Sequence, residues 1–406
     1  MTNRPTPAAP AGDAKARRHA LRFVVLIGVL SLFADFAYEG ARSVLGPFLA
    51  TLGASAAVVG VVTGFGELAG YGLRLVSGRV ADLTGRYWPI TIAGYVVQMA
   101  AVPALALAGS WPAAAALIVL ERVGKAIRNP PRDVMLAHAG RRIGGYGWAF
   151  GLHEALDQTG AMAGPLVVGA VLAARGDYAL AFAALGVPAA ITVALVIVTR
   201  IAYPRPQDLD VAAAPAPVAD ALPKAFYLYL AGAALVAAGF ADYPIIAFHF
   251  AHEGVASAQA IAVFYAVAMG ASGAGSLAFG RLYDRRGFGV IVVLTLVSAA
   301  FAPLVFLGGF WTALAGVALW GLAMGVHDSI IPAAVATMVP APRRATAFGV
   351  FTAGYGIAWF AGSALIGFLY DRSLTAAVAF CVVAEVAAVP ILVAVGRRLG
   401  AGVAAR

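Results

Sequence analysis

Long apolar runs recur almost without interruption from residue 22 to residue 396, with short polar or Gly/Pro-rich breaks between them. A run of about 20 residues is what an α-helix needs to cross the hydrocarbon of a bilayer, where every backbone polar group must be satisfied within the element. The runs fall at 22–50, 54–78, 88–108, 112–139, 147–173 and 178–199, then at 223–251, 257–280, 288–308, 311–338, 347–370 and 374–396. About twelve membrane-spanning helices follow, hence an all-α membrane protein. A soluble protein with an unusually large core is the competing reading, and composition excludes it. The 406 residues are 62% hydrophobic and 12% charged, whereas soluble domains carry about 25% charged residues.

The net charge of +9 does not mark a nucleic-acid binder, because the basic residues sit in short inter-helix loops and form no stripe. One set of helix ends carries Lys15, Arg17, Arg18, Arg22, Arg79, Arg86, Arg141, Arg142, Arg200, Arg205, Lys224, Arg281, Arg285, Arg286, Arg343, Arg344, Arg397 and Arg398. The opposite loops carry Arg175 and Arg372. Positive residues gather on the cytoplasmic side of inner-membrane proteins, so both termini are expected in the cytoplasm. Residues 1–20 read as a cytoplasmic tail with no signal-peptide core. The expected domains are a bundle at 21–199, a cytoplasmic linker at 200–222, a bundle at 223–396 and a tail at 397–406. The single cysteine, Cys381, allows neither an intrachain disulfide nor a thiolate metal cluster.

The two halves repeat each other. Gly78-Arg79-Val80-Ala81-Asp82-Leu83-Thr84-Gly85-Arg86 recurs as Gly280-Arg281-Leu282-Tyr283-Asp284-Arg285-Arg286-Gly287. Phe33-Ala34-Asp35-Phe36 returns as Phe240-Ala241-Asp242-Tyr243, and Arg141-Arg142 with Phe150-Gly151 returns as Arg343-Arg344 with Phe348-Gly349. Paired repeats in a membrane protein point to a transporter built of two bundles.

With the loop hinge after helices two and eight, the chain resembles the major facilitator superfamily over essentially its whole length. The resemblance implies twelve transmembrane helices in two pseudo-symmetric six-helix bundles. The family's loop signature is matched at Gly78, Asp82, Gly85 and Arg86, and again at Gly280, Asp284, Arg285 and Gly287. The first copy has Leu83 where the family has a basic residue, and the second has Phe288 after the glycine. In the family this loop clips the halves together in the outward-facing state. Asp82 is therefore expected to pair with a helix-end dipole, Arg132, or an arginine of the 343–344 pair. Gly151, Gly160, Gly164-Pro165 and Gly169 match the antiporter motif of the family's drug:proton exporters, with Val168 replacing one family glycine. Plain helix-packing glycine is the alternative meaning.

Ionisable groups at bilayer depth are expensive and normally line a cavity or pair with each other. Helix one holds Asp35, Glu39 and Arg42; helix two Glu67 and Arg74; helix four Glu121, Arg122, Lys125, Arg128, Arg132 and Asp133; helix five His153, Glu154 and Asp157. Helices three, six and nine hold no Asp, Glu, Lys or Arg. Asp35 and Glu39 share a helix face, as do His153 and Asp157. Two carboxylates in a low-dielectric cavity repel, so one of them is expected to take up a proton near neutral pH. Asp35 and Glu39 are the expected coupling pair, with Glu154 or Asp157 as relay; an ion pair from Glu39 to Arg42 or Arg74 is the structural alternative. Glu67, Arg122 and Lys125 are candidates for contact with cargo. In the second half Phe351, Tyr355 and Trp359, four apart, make a stripe that either packs or, with Tyr243, walls a site for a lipophilic cation.

Three readings remain open. One is proton-coupled export of a hydrophobic or amphipathic small molecule. Another is uptake or exchange of an anionic metabolite held by Arg122 and Lys125. The last is a receptor that moves nothing. No metalloprotease, nucleophile-elbow or phosphate-loop pattern occurs, so neither an enzyme nor an ATP-driven pump is expected. The implied partners are a small molecule, protons and the lipid bilayer; no cofactor or metal is expected, and a monomer suffices.

Overall fold

The computed structural model describes residues 11–143, 146–209, 222–339 and 344–404. The first half contains α1 (Ala11–Arg42), α2 (Leu45–Thr51), α3 (Ala56–Thr84), α4 (Tyr87–Ala104), α5 (Trp111–Gly140), α6 (Tyr146–Arg175), α7 (Tyr178–Ala184) and α8 (Gly186–Ala202). The second half contains α9 (Lys224–Gly239), α10 (Tyr243–His252), α11 (Ala258–Arg286), α12 (Gly289–Ser298), α13 (Phe301–Phe306), α14 (Phe310–Met338), α15 (Arg344–Tyr370) and α16 (Leu374–Ala404). Eleven spans among the described residues are long and apolar enough to cross a membrane. The twelfth crossing is α5, long enough but loaded with Glu121, Arg122, Lys125, Arg128, Arg132 and Asp133.

Four of the expected helices are broken. The first span stops at Arg42 and restarts as α2, whose third residue is Pro47; a proline has no N–H to continue the ladder from α1. The seventh stops at Gly239 and restarts at Asp242, whose carboxylate accepts from the Tyr243 N–H at 3.0 Å. Spans six and nine break at Leu185 and at Ala299–Ala300. Conversely, α5 runs straight through Pro130-Pro131. Pro130 leaves the Ala126 carbonyl without its helical donor, and the Ser77 hydroxyl of α3 donates to that carbonyl at 2.8 Å. The first helix begins at Ala11, inside the stretch expected as tail, where Ala, Lys and Arg favour helix. Most of the expected linker, residues 210–221, lies outside the described residues.

Each half is one bundle. In the first, α1 packs along α6 and α5 lies between α3 and α4; in the second, α11 packs along α14 and α9 along α16. The α1–α6 contact needs small residues, since a Cβ on Gly160 or Gly164 would run into the Leu32 or Phe36 carbonyl. The halves meet along α3–α15, α6–α11 and α2–α10. Among the described glycines, close approach to the backbone of the other half occurs at the end away from the chain termini. There Gly46 abuts Pro244, Gly60 abuts Ser363, and the Asp371 carboxylate accepts from the Ala56 and Ala57 N–H groups at 3.0 and 2.9 Å.

Gly164→Val is expected to destabilise the purified protein by about 1–3 kcal/mol, the usual cost of overpacking. Gly151→Ala, whose added methyl meets nothing within 4 Å, should stay within about 0.5 kcal/mol. Thermal unfolding in detergent compares the two, and equal midpoints would deny the close α1–α6 approach.

Candidate substrate cavity between the halves

A cavity of about 260 Å³ lies between the bundles. The first half lines it with α1, α3, α5 and α6, and the second with α11 and α14. Its first-half wall is mostly charged, carrying Asp35, Glu39, Arg42, Arg74, Lys125, Arg128, Arg132, Glu154 and Asp157. Its second-half wall is Tyr265, Met269, Ser272, Trp320 and Met324. Which of those charges are free to act depends on how they pair.

Arg42 is the central node. Its guanidinium donates to Asp242 of the second half at 2.6 Å and to the Tyr38 hydroxyl at 2.8 Å, and it lies 3.4 Å from Glu67. Asp242 is fully buried. One arginine thus joins α1 and α3 to the break between α9 and α10. Arg122 completes this node, 2.9 Å from Glu67 and bonded to the same Tyr38 hydroxyl. Its guanidinium carbon lies 4.7 Å from the Tyr38 ring centroid. Arg122 does not line the cavity, whereas Lys125 does, its ammonium 3.9 Å over the Tyr38 ring.

A second node surrounds Arg128, which is fully buried. Its Nε donates to Gln98 at 2.6 Å, Nη1 to the Tyr95 hydroxyl at 3.0 Å and Nη2 to Asp35 at 3.4 Å. Gln98 in turn donates to Glu121 at 2.7 Å. Arg132 bonds its neighbour Asp133 at 2.8 Å and the Ser31 hydroxyl at 3.2 Å. Ser31 lies 2.8 Å from His153, which is 3.5 Å from Asp157.

Glu39 is different. Its Oε2 accepts from the Tyr265 hydroxyl of α11, in the other half, at 2.6 Å. No cation lies within 4.0 Å of it among the described residues, because Arg42 is taken by Asp242 and Glu67.

Of the residues singled out in the sequence, the fold brings Asp35, Glu39, Lys125, Glu154 and Asp157 to one cavity. Glu67 and Arg122 form an ion pair behind that wall. Tyr243, Tyr355 and Trp359 are buried in the second half and do not line the cavity. Tyr243 donates to the Ile261 carbonyl at 2.7 Å, and Tyr355 and Trp359 pack around His327. His153, Glu154 and Asp157 have ligand atoms within 4.8 Å of one another, and the charges around Asp157 are mixed, Asp35 and Glu154 set against Arg128 and Arg132.

The repeated loops end their helices alike in φ but not in ψ, which is 9° at Gly85 and −155° at Gly287. Gly85 and Gly287 end α3 and α11 with φ of +63° and +68°, a region that glycine enters without strain. Asp82, Arg86 and Arg285 are exposed, and Asp82 has no ion pair among the described residues. Its expected partner Arg132 is held by Asp133; Arg343 and the side chain of Arg344 lie outside the described residues, as does the side chain of Asp284. A Cβ on Gly78 would touch Pro130 at 3.3 Å, while one on Gly280 would meet open space. Among the antiporter-like residues, Gly160 and Gly164 face α1, Gly169 faces Gln259 of the second half, Gly151 faces nothing within 4 Å, and Pro165 sits inside α6.

The Major Facilitator Superfamily profile matches residues 27–325 and, overlapping it, 230–399. The chain belongs to the major facilitator superfamily. It is thus a membrane transporter and not an enzyme. An uncharacterized protein of Mycobacterium tuberculosis is 43% identical to it over 390 residues, 95% of each chain. The fold is shared with the solved nucleoside transporter NupG, in a point variant, at TM-score 0.74 and 14% identity over 92% of this chain and 99% of that one. The peptide transporter POT in complex with sulfate superposes at TM-score 0.72 and 15% identity, covering 93% and 95%.

Asp242→Ala is expected to destabilise this facilitator by about 3–5 kcal/mol, since it leaves Arg42 a buried cation with one fewer anion. Asp82→Ala should fall within about 0.5 kcal/mol. Thermal unfolding reads both, and an Asp242 variant as stable as the parent would remove the inter-half ion pair from the structure's support.

Proposed function

We propose that the protein is a proton-coupled secondary transporter that exchanges a small polar molecule for protons by alternating access. The reading is carried by the hydrogen bond from Tyr265 to Glu39, a carboxylate on the cavity wall held by the opposite half and free of any cation partner among the described residues. Protonating Glu39 removes the negative charge that the Tyr265 hydroxyl bonds, so proton uptake weakens one tie between the bundles. The groups around Glu39 are Tyr38 and Arg42 on its own helix, Glu121 from α5 and Tyr265 from α11.

Polar cargo fits this cavity better than lipophilic cargo. The aromatic stripe of the second half packs against its own half and Tyr71 of α3, outside the cavity lining, and about 260 Å³ is below the roughly 300–1,000 Å³ of sites for drug-sized ligands. Close backbone approach between the halves at the end away from the termini supports a state open toward the termini. In this reading that side is cytoplasmic, which the bias of Lys and Arg toward it supports, and the protein acts as a monomer in the plasma membrane.

In proteoliposomes with an imposed pH gradient, Glu39→Gln should uncouple the proton, lowering gradient-driven flux about 5- to 150-fold, the range of typical site-to-site coupling. Counterflow of cargo without a gradient should survive. Unaltered gradient-driven flux in this variant would sink the proposal.

A further inference from the structure

The cavity's unsatisfied groups sort by charge. Among its cations, Arg42 is taken by Asp242 and Glu67, Arg128 by Asp35, and Arg132 by Asp133. Arg74 and Lys125 have no carboxylate within 4.0 Å among the described residues. Arg74 lies 5.3 Å from the Tyr71 centroid and Lys125 3.9 Å from that of Tyr38, with Glu67 as the nearby anion that both share with Arg42 and Arg122. The Arg74 Nε is a buried donor without an acceptor among the described residues. Two cations remain for an acidic group to occupy.

Three residues of the lining also carry buried oxygen acceptors with no donor among the described residues: Asp157 Oδ1, Gln158 Oε1 and Asn129 Oδ1. The first two are consecutive on α6, and the third lies one turn beyond Lys125 on α5. Gln158 spends its amide N–H on Glu154 at 2.9 Å, which turns its own oxygen free. An anion alone leaves these acceptors unsatisfied, and a cation alone leaves Arg74 and Lys125 unpaired.

We propose that the cavity binds a compact zwitterion, its acidic group on Arg74 and Lys125 and its amine N–H groups on Asp157, Gln158 and Asn129. This rests on the transporter reading and replaces the sequence-based pair of Arg122 and Lys125, because Arg122 is turned to Glu67. An ammonium group and a proton then compete for Asp157, which also faces Asp35, Glu154, Arg128, Arg132 and His153.

The test is equilibrium binding to the full chain in lipid nanodiscs, read by dialysis and by thermal stabilisation. The probes are the ω-amino acids from glycine to 6-aminohexanoate, a ladder of increasing charge separation, with hexanoate and hexylamine as single-charge controls. At least one rung should bind tighter than both controls and raise the melting temperature. Arg74→Gln, Lys125→Gln and Asp157→Asn should each weaken it about tenfold or more. Arg74→Lys should retain part of the affinity, and Arg79→Gln, at an exposed position, all of it. Hexanoate should lose affinity in the Arg74 variant and not in the Asp157 variant. No binding by any rung, controls that bind equally well, or variants that bind like the parent would each overturn the proposal; the first would mean that water alone satisfies the orphaned oxygens. Binding without any flux in proteoliposomes would overturn the transporter reading and leave this site standing.

Discussion

The choice of partner made by Arg42 governs the rest of the site. Its guanidinium reaches across the two halves to Asp242 at 2.6 Å, with Glu67 at 3.4 Å and the Tyr38 hydroxyl at 2.8 Å. A buried charge is tolerable only where such partners surround it. Once Arg42 is spent on Asp242, Glu39 three residues earlier on the same helix has no arginine and takes the Tyr265 hydroxyl from the opposite bundle. Once Glu67 is shared between Arg42 and Arg122, Arg74 and Lys125 are left facing the cavity. One ion pair thus leaves both an acid and two cations available for chemistry.

Much of this architecture is readable in the sequence because bilayer thickness imposes a length on every apolar run. The repeated Gly-x-x-x-Asp-x-x-Gly hinge follows the same logic, since both copies end a helix on a glycine with positive φ. The breaks were harder to see. Pro47 and Pro244 interrupt their spans while Pro130-Pro131 do not, and the difference is tertiary: Ser77 from a neighbouring helix supplies the donor that Pro130 lacks.

The site was legible in part. Charges at membrane depth mark the helices that line the cavity, and Asp35, Glu39, Lys125, Glu154 and Asp157 do meet there. Pairing is invisible to helical spacing. Glu39 and Arg42 are neighbours on one turn yet bond different partners, and Arg122 turns to Glu67. The uncharged residues that direct these choices, Tyr38, Tyr95, Gln98 and Tyr265, stand out in no pattern of charge. For Tyr95 and Gln98 the one signal is polarity at mid-span in a helix otherwise apolar. Aromatic spacing left packing and a cargo wall both open; Phe351, Tyr355 and Trp359 pack against Tyr229, His327 and Phe240 of their own half, and Tyr355 also meets Tyr71 of α3.

Tight backbone contact at one end of the seam, beside the charged cavity, is one of the two states that the proposed alternating access requires. Labelling of a cavity residue from each side of the membrane tests this most directly. Cys381 is buried and is the only native thiol, so Cys381→Ala with Gln158→Cys places a single reporter on the cavity wall. A membrane-impermeant thiol reagent should reach it from the side of the termini in the resting protein and from the opposite side under an imposed pH gradient. Labelling from one side alone, whatever the gradient, would contradict a cavity that changes faces.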